Sequence, residues 1–235
     1  MTREPANSEP AFDAYATDYD RALAQGIAVS GEDKEYFAAG RVRWLAQRLK
    51  ELGEHPRNIL DFGCGTGTGS RFLAENFSEA NVLGVDVSGP SLETARRAHG
   101  SARVRFALTS EHRPVGGIDL AFCNGVFHHI PPAERAAAVD FVRRSLRPGG
   151  LFALWENNPW NPGTRYVMSR IPFDRGAITL TPPGARQLLG GGGFEILRTD
   201  FLFVFPRILG WLRGIEPWLA RWPLGAQYLV LCRHT

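Results

Sequence analysis

A glycine-rich segment at residues 61–69, Asp-Phe-Gly-Cys-Gly-Thr-Gly-Thr-Gly, has the composition of a ligand-binding loop. It follows a short apolar run, NILDF (58–62), and precedes a helical pattern that begins at Thr68. Glycines at alternate positions let the backbone turn sharply and approach a ligand closely, with a helix N-terminus exposed beyond them. A tight turn without a ligand would need fewer glycines. The segment therefore predicts a site for a nucleotide-like ligand.

Two carboxylates indicate which class of nucleotide-like ligand this segment binds. Dinucleotide-binding loops follow Gly-x-Gly-x-x-Gly/Ala, but the last position holds Thr68 or Ser70 here, depending on the starting glycine. Asp61 would repel a pyrophosphate, whereas it would attract the ammonium group of an amino acid. Asp86 ends the next strand pattern, 23 residues after Gly63, where a carboxylate can accept hydrogen bonds from both hydroxyls of a ribose. The two acids favour a nucleoside that carries an amino acid and no phosphate, as S-adenosylmethionine does.

These residues resemble those of the class I S-adenosylmethionine-dependent methyltransferases. Asp-x-Gly-x-Gly-x-Gly at 61–67 is similar to their first motif, Asp86 to the acid that ends their second strand, and LRPGG (146–150) to the turn before their fifth strand. FDAYATDYD (12–20) resembles the tyrosine-bearing segment that caps the cofactor in small-molecule members of the ubiquinone-biosynthesis type. The resemblance implies S-adenosyl-L-methionine as cofactor, S-adenosyl-L-homocysteine (SAH) as product, and a doubly wound α/β fold. Its sheet would have seven mostly parallel strands and an antiparallel last strand.

The resemblance also implies which residues hold the cofactor. They are Tyr15, Tyr19, Asp61, Gly63, Cys64, Gly65, Gly67, Asp86, Val87, Thr109, Ser110, Asn124 and Gly125. The two tyrosine rings would also attract a sulfonium cation. Many family members place an Asp after the third strand to hold the adenine amino group, whereas this chain has Thr109 and Ser110 there, with Glu111 next if the register shifts. The adenine contact is therefore the least defined part of the predicted site.

Methyl transfer from a sulfonium needs few catalytic groups. The donor is already activated, so the protein must align the nucleophile and exclude water, and we expect no metal. A general base is needed only where the acceptor carries a proton, as an alcohol or phenol does. His128, His129 and Glu156 are the catalytic candidates, with Glu111 as a further base, because they follow strand patterns at the edge where open α/β sheets bind ligands. Alternatively, the histidines cap a loop, and Glu156 contacts a cationic substrate or accepts bonds from neighbouring amides.

Alternating strand and helix patterns position these residues. Strand patterns occupy 58–62, 81–87, 104–108, 118–124, 151–155, 194–205 and 227–233, and helix patterns occupy 35–52, 68–77, 91–98, 133–146 and about 182–190. Such alternation is typical of a parallel, doubly wound sheet with helices on both faces. We predict one domain over residues 1–235, with an N-terminal cap at about 10–52. Irregular inserts at about 156–181 and 206–224 would form the substrate side.

The segment LWENNPWNPGTR (154–165) leaves the fifth strand at the predicted site. Its amides offer donors and acceptors, its tryptophans offer flat apolar faces, and its prolines leave the backbone little entropy to lose on binding. The candidate acceptor-binding residues are Asn157, Trp160, Asn161 and Arg165. A stiff surface connection would account for the same composition.

The Trp-rich segment 206–222 carries apolar residues at helical spacing. This stripe fits the wall of an apolar pocket, a peripheral contact with a membrane surface, or ordinary core packing. Either of the first two readings predicts a small apolar acceptor, such as a lipid, polyketide or isoprenoid of secondary metabolism.

The composition argues against several other functions. A net charge of +3 with scattered arginines disfavours nucleic acid as a partner. The three cysteines are far apart and lack metal-ligand spacing, which is typical of reduced thiols in a cytoplasmic protein. We find no secretory signal and no run of about 18 apolar residues. Two alternative functions are an NAD-dependent oxidoreductase and a cofactor-binding partner subunit without catalysis. Thr68 and Asp61 disfavour the oxidoreductase. The sequence does not predict the oligomeric state.

Overall fold

The structure, a computed structural model, describes residues 19–174 and 176–235, and side chains from residue 23 onward. The helices are α1 (Tyr19–Ile27), α2 (Lys34–Glu51), α3 (Thr68–Asn76), α4 (Gly89–His99), α5 (Arg135–Ser145), α6 (Pro162–Arg170), α7 (Pro182–Gly191) and α8 (Glu216–Leu219). The strands are β1 (Asn58–Phe62), β2 (Asn81–Asp86), β3 (Val104–Leu108), β4 (Ile118–Asn124), β5 (Leu146–Asn157), β6 (Phe194–Leu202) and β7 (Gln227–His234). Short 3-10 helical segments span Ala28–Ser30, Pro172–Asp174 and Arg207–Ile215.

The strands form one seven-stranded sheet in the order β3-β2-β1-β4-β5-β7-β6. β1 pairs in parallel with both β2 and β4, and β4 pairs in parallel with β5. β7 runs antiparallel between β5 and β6. The predicted fold, a mostly parallel sheet with an antiparallel last strand, is confirmed. Because the strand order reverses between β1 and β4, a ligand crevice is expected at the carboxyl ends of these two strands.

Apolar side chains cover both faces of the sheet. Val42, Leu45 and Leu49 recur at helical spacing on α2 and pack on one face. Val139 and Val142 of α5 pack on the other face. A strand that is buried on both faces needs a continuous apolar run, which is why NILDF lacks the alternation of a half-exposed strand.

Polar residues fix the helix starts nearest to the crevice. The Ser88 side chain accepts a hydrogen bond from the Ser91 backbone N–H, and a proline lies in the first turn of α4. Asn161 accepts from the Thr164 backbone N–H, and Pro162 opens α6. A side-chain oxygen at the N-cap followed by proline at the first helical position is a strong helix start.

The sequence-based boundaries need three corrections; the other predicted strands and helices agree to within two residues. The stretch 156–181 was predicted to be irregular but contains α6. β5 begins at Leu146, not 151, because that residue pairs with Ile118 ahead of a bulge. β6 ends at Leu202, not 205, because Phe203 adopts a positive φ of 64° that turns the chain.

The Trp-rich segment is also less regular than its periodicity predicts. It divides into the 3-10 segment Arg207–Ile215 and the four-residue α8, with a proline in the first turn of α8. None of the helices in the described ranges combines the length and apolar character that a bilayer crossing demands.

Candidate active site

The loop between β1 and α3 holds three glycines in the left-handed region. Gly63, Gly65 and Gly67 have φ values of 72°, 53° and 83°. A Cβ on Gly63 would lie 2.3 Å from Val126, and one on Gly67 would lie 2.8 Å from Phe106. A Cβ on Gly65 would meet nothing within 4 Å. Close packing therefore requires two of the glycines, whereas the third borders open space that a ligand can fill.

Two cavities flank this loop at the carboxyl edge of the sheet. The first cavity, about 120 Å³, is lined by Asp61 and Cys64, and the second, about 270 Å³, by Asp86 and Thr109. Both are also lined by Gly63, Gly65, Thr66 and Asn124. The two cavities therefore meet around the glycine loop and separate the two acids, as a ligand with an amino-acid end and a nucleoside end requires.

Asp61 lines the first cavity, and 3% of its surface is exposed. Burial raises the pKa of its carboxyl group to about 7, and the negative charge of Asp86 adds to this rise. The Ser70 hydroxyl, which donates to Oδ2 at 2.6 Å, opposes the rise. An ammonium group in this cavity would favour the ionised carboxylate.

Asp86 connects the end of β2 to the glycine loop. Its Oδ2 accepts from the Gly65 backbone N–H at 2.8 Å, and its Oδ1 accepts from the Ser88 backbone N–H at 2.9 Å. These bonds hold the carboxylate at the wall of the second cavity. A carboxylate oxygen has two lone pairs, so this group could hold the two ribose hydroxyls.

Most of the predicted cofactor residues line these two cavities. They are Asp61, Gly63, Cys64, Gly65, Asp86, Val87, Thr109, Asn124 and Gly125. Gly67 instead packs against Phe106 at the start of α3, and Ser110 is exposed outside the lining. The Glu111 carboxylate accepts from the Leu108 backbone N–H. Tyr15 and the Tyr19 side chain lie outside the described residues.

Sequence reasoning missed several residues of the second cavity. Ser91 lies at the start of α4, and Val126, Ile130 and Pro131 follow β4. Their position after strands β2 and β4 was an available signal, because segments after parallel strands share one edge of the sheet.

A third cavity of about 370 Å³ adjoins the other two. It shares Asn124 with both, His129 with the second cavity and Arg41 with the first. Its wall is mainly apolar and includes Ile27, Phe37, Met168, Ile171, Phe173 and Phe203. It therefore offers an apolar space next to the predicted cofactor site.

His128, His129 and Asp174 line the third cavity, and the buried Glu156 contacts His128; we name these four titratable side chains the His–acid cluster. His128 Nδ1 lies 2.6 Å from Glu156 Oε2, and the Phe127 backbone N–H donates to Glu156 Oε1 at 2.8 Å. Asp174 Oδ1 lies 3.5 Å from His128 Nε2 and 3.3 Å from His129 Nε2. The structure thus joins the three predicted catalytic candidates and adds Asp174, which sequence reasoning missed.

Carboxylates dominate the electrostatics of this cluster. Burial alone would lower the pKa of His128, but the charges and hydrogen bonds of Glu156 and Asp174 outweigh it and raise the value to about 10. Burial would raise the pKa of Asp174, but the two histidines hold it below its usual value. The sequence also allowed an imidazole whose hydrogen bonds go to the backbone. His128 is not of this kind, because both of its ring nitrogens face carboxylates.

The predicted acceptor residues divide into two groups. Asn157 and Asn161 line the third cavity, whereas Trp160 and Arg165 lie at the surface outside its lining. Asn161 also fixes the chain, because it caps α6 and donates to the Leu224 carbonyl at 2.7 Å. The Asn157 side chain accepts from Gln227 at 3.2 Å.

Comparisons with known proteins point to one enzyme family. A family model described as a methyltransferase domain matches residues 59–150. A trans-aconitate 2-methyltransferase of Methylobacterium nodulans is 33% identical over 221 residues, which cover 84% of each chain. The chain belongs to the class I S-adenosylmethionine-dependent methyltransferases. A ubiquinone biosynthesis O-methyltransferase of Psychrobacter arcticus is 29% identical over 181 residues, or 68% of each chain.

Solved structures of this methyltransferase fold are similar to the chain. The magnesium protoporphyrin IX methyltransferase of Synechocystis PCC 6803, solved with bound SAH, superimposes with a TM-score of 0.64 at 20% identity, covering 95% of this chain and 96% of its own. A methyltransferase of Mesorhizobium loti gives a TM-score of 0.57 at 22% identity, covering 77% and 91%. At this identity the similarity shows the fold.

The chain is therefore a methyltransferase that uses S-adenosylmethionine, and its cavities offer groups that fit this cofactor. When bound, the cofactor supplies an activated methyl group on a sulfonium. Asp61 could hold the ammonium group, Asp86 the ribose, and the backbone at Gly65 could approach the ligand where no Cβ intervenes.

Proposed function

We propose that this methyltransferase acts on a small, apolar acceptor that binds in the third cavity. The observation that carries the proposal is the mainly apolar and aromatic wall of this cavity, which meets the two predicted cofactor cavities at Asn124. Burial of apolar surface would supply the binding free energy, at roughly 25 cal/mol per Å². Asn124 marks the junction at which the sulfonium methyl and the acceptor would meet.

The His–acid cluster is the proposed polar end of the acceptor site. His129 lines both the third and the second cavity, so it lies at the boundary between acceptor and cofactor. We propose that His128 and His129 contact the reacting group of the acceptor. Glu156 would act through His128, because it bonds the Nδ1 side of that ring. Alignment of the nucleophile by these groups can contribute several orders of magnitude in rate.

A second candidate acceptor is a small polycarboxylate, as the name of the Methylobacterium nodulans relative suggests. Lys34, Arg41 and Arg213 in the wall of the third cavity favour it. However, Arg213 forms an ion pair with Glu32 at 2.9 Å, and Glu32 and Asp174 place carboxylates in the same wall. These acids would repel a polycarboxylate, so we favour the apolar acceptor.

Two neighbouring residues of α6 allow a matched test. Val167 lines the third cavity, whereas Tyr166 is 48% exposed and lies outside the lining. We expect Val167→Glu to raise the KM of an isoprenoid phenol at least about tenfold, since it places a charge on apolar wall, and to leave SAH affinity unchanged. Tyr166→Glu should change neither value.

The assay follows transfer of labelled methyl groups to isoprenoid phenols and to trans-aconitate, with SAH binding measured by calorimetry. Faster methylation of trans-aconitate than of any apolar compound would replace our proposal with the second candidate. An equal effect of the two Glu variants on KM would show that the third cavity does not hold the acceptor.

We further propose that the acceptor enters from a lipid surface that the Trp-rich segment contacts. Ile208, Trp211 and Trp218 are 85%, 79% and 81% exposed, and Arg213 of the same segment lines the third cavity. Exposed tryptophans beside basic residues are typical of helices that lie at a bilayer interface.

Vesicles that contain anionic lipid provide the test. Ile208→Ser should reduce co-sedimentation several-fold. Val115→Ser removes an equally exposed residue, 82%, near the N-terminal ends of the strands, and should have no effect. Equal sedimentation of both variants would refute the membrane contact.

The three buried free thiols, Cys64, Cys123 and Cys232, support a reducing, cytoplasmic location. A small, apolar acceptor would fit a role in secondary metabolism.

A further inference from the structure

The His–acid cluster has the composition of a metal site. One side-chain ligand atom each from His128, His129 and Asp174 lies within 4.8 Å of the others. We propose that these three residues bind a divalent metal ion, with Glu156 orienting His128. Imidazole nitrogens combined with one carboxylate oxygen suit Zn²⁺ among the common metals.

The spacing within the cluster matches that of metal ligands. Asp174 Oδ1 lies 3.3 Å from His129 Nε2 and 3.5 Å from His128 Nε2. Ligands about 2.1 Å from a tetrahedral zinc ion are about 3.4 Å apart, and both Asp174–histidine distances are close to this value.

Glu156 supplies the support that a metal-binding histidine requires. Its Oε2 lies 2.6 Å from His128 Nδ1, and the Phe127 backbone N–H fixes its other oxygen at 2.8 Å. Proteins commonly orient a ligating imidazole in this way, with a carboxylate on one nitrogen and the metal on the other. With Nδ1 donating to Glu156, a metal ion bound at Nε2 would take the place of the proton that otherwise faces Asp174.

The charge of the cluster also favours a divalent ion. Glu156 and Asp174 are both buried and place two carboxylates around the His128 ring. A divalent cation bound by Asp174 and the two imidazoles would add positive charge beside both carboxylates. Buried charges are stable only when they are paired or coordinate a metal.

The location of the cluster suggests what the metal would do. Three protein ligands at the wall of the third cavity leave a fourth position open towards the acceptor, as in catalytic zinc sites. In this role, which rests on the proposed function, the two histidines would contact the acceptor hydroxyl through the metal, which would lower the pKa of that hydroxyl so that its proton passes to solvent water. The oxygen then forms a bond to the methyl carbon while the S–CH₃ bond breaks and SAH leaves.

Direct metal binding tests the proposal without any acceptor. Untagged enzyme is stripped with a chelator and titrated with Zn²⁺ by calorimetry, and Co²⁺ is added as a spectroscopic probe of four-coordinate geometry. We expect one ion per chain and visible absorption bands from Co²⁺. His129→Gln and Asp174→Asn should each weaken Zn²⁺ binding by more than about 100-fold, and Glu156→Gln by about 10–100-fold.

His55→Gln is the matched control, because it removes a histidine outside the cluster and should leave Zn²⁺ affinity unchanged. SAH affinity and circular dichroism report whether each variant folds. If Asp174→Asn does not fold, His129→Gln decides, since the His129 side chain is 16% exposed and tolerates replacement better.

Substoichiometric Zn²⁺ binding by wild-type enzyme, or equal affinity in His129→Gln, would overturn the proposal. Tight Zn²⁺ binding without methylation of apolar compounds would leave the metal site intact and refute only the proposed acceptor.

Discussion

Titration of Asp61 should control how tightly the enzyme binds SAH. Burial raises the pKa of this carboxyl group to about 7, the Ser70 hydroxyl bond lowers it and Asp86 raises it further. Only the ionised form attracts the ammonium group of SAH strongly. The affinity for SAH should therefore rise as the pH rises through 7.

The expected size of the effect follows from this pKa. About one tenth of Asp61 is ionised at about pH 6 and about nine tenths at about pH 8. The Kd of SAH should therefore be about tenfold larger at the lower pH, which corresponds to about 1.4 kcal/mol.

Folding stability should show the opposite trend in the ligand-free enzyme. A folded-state pKa of about 7 lies above the ordinary value of 3.8, so the folded protein binds the extra proton. The resulting stabilisation, on the order of 4 kcal/mol, is complete below about pH 4 and is lost as the pH rises to about 7. SAH should consequently raise the Tm more at about pH 8 than at about pH 6.

Calorimetry of SAH binding across this pH range measures the effect. Asp61→Asn keeps the side-chain shape and removes the titration, so the ratio of wild-type to variant affinity cancels the titration of the ligand amine. Ser70→Ala removes the bond that stabilises the carboxylate and should move the midpoint to higher pH. A ratio that does not change with pH, or an affinity that rises as pH falls, would refute the reasoning.

Three further substitutions test the loop and the core. Gly65→Ala should weaken SAH binding at least about tenfold by calorimetry, because its φ is 53° and its Cβ would enter the cofactor space; Gly53→Ala, with a φ of 70°, should leave that affinity unchanged. Asn158→Leu removes bonds of 2.8 and 3.1 Å to two carbonyls before β7 and should cost about 2–4 kcal/mol, measured by urea unfolding. Tyr228→Phe removes a 2.6 Å bond to a buried carbonyl and should cost about 1–2 kcal/mol in the same assay, and an unchanged free energy of unfolding would contradict that assignment.

Local signals explain why most of the fold could be predicted. NILDF forms a strand because it is short, apolar and bounded by a glycine loop, and these properties do not depend on distant residues. The helix α6 was missed because Pro162 and Gly163 suggest a turn. Asn161 followed by Pro162 is nevertheless a helix-start pattern, so the sequence contained a usable signal.

The residues of the candidate site also differ in whether local sequence signals reveal them. Asp61 and Asp86 could be predicted because each ends a strand next to a glycine loop or a helix start. Asp174 could not, because it is 46 residues after His128 and reaches it only through the path of the chain after α6. No spacing in the segment around Asp174 indicates which side chain it will meet.

The residues after Trp155 contribute both to the candidate site and to the backbone structure that positions it. Glu156 bonds His128 and Asn157 lines the third cavity, whereas the amide of Asn158 is buried against the carbonyls that precede β7. Asn161 then starts α6, and α6 places Val167 in the wall of the third cavity. The amide-rich segment therefore acts on the acceptor side mainly by fixing where α6 begins, and its substitution should alter acceptor binding while the glycine loop keeps its geometry.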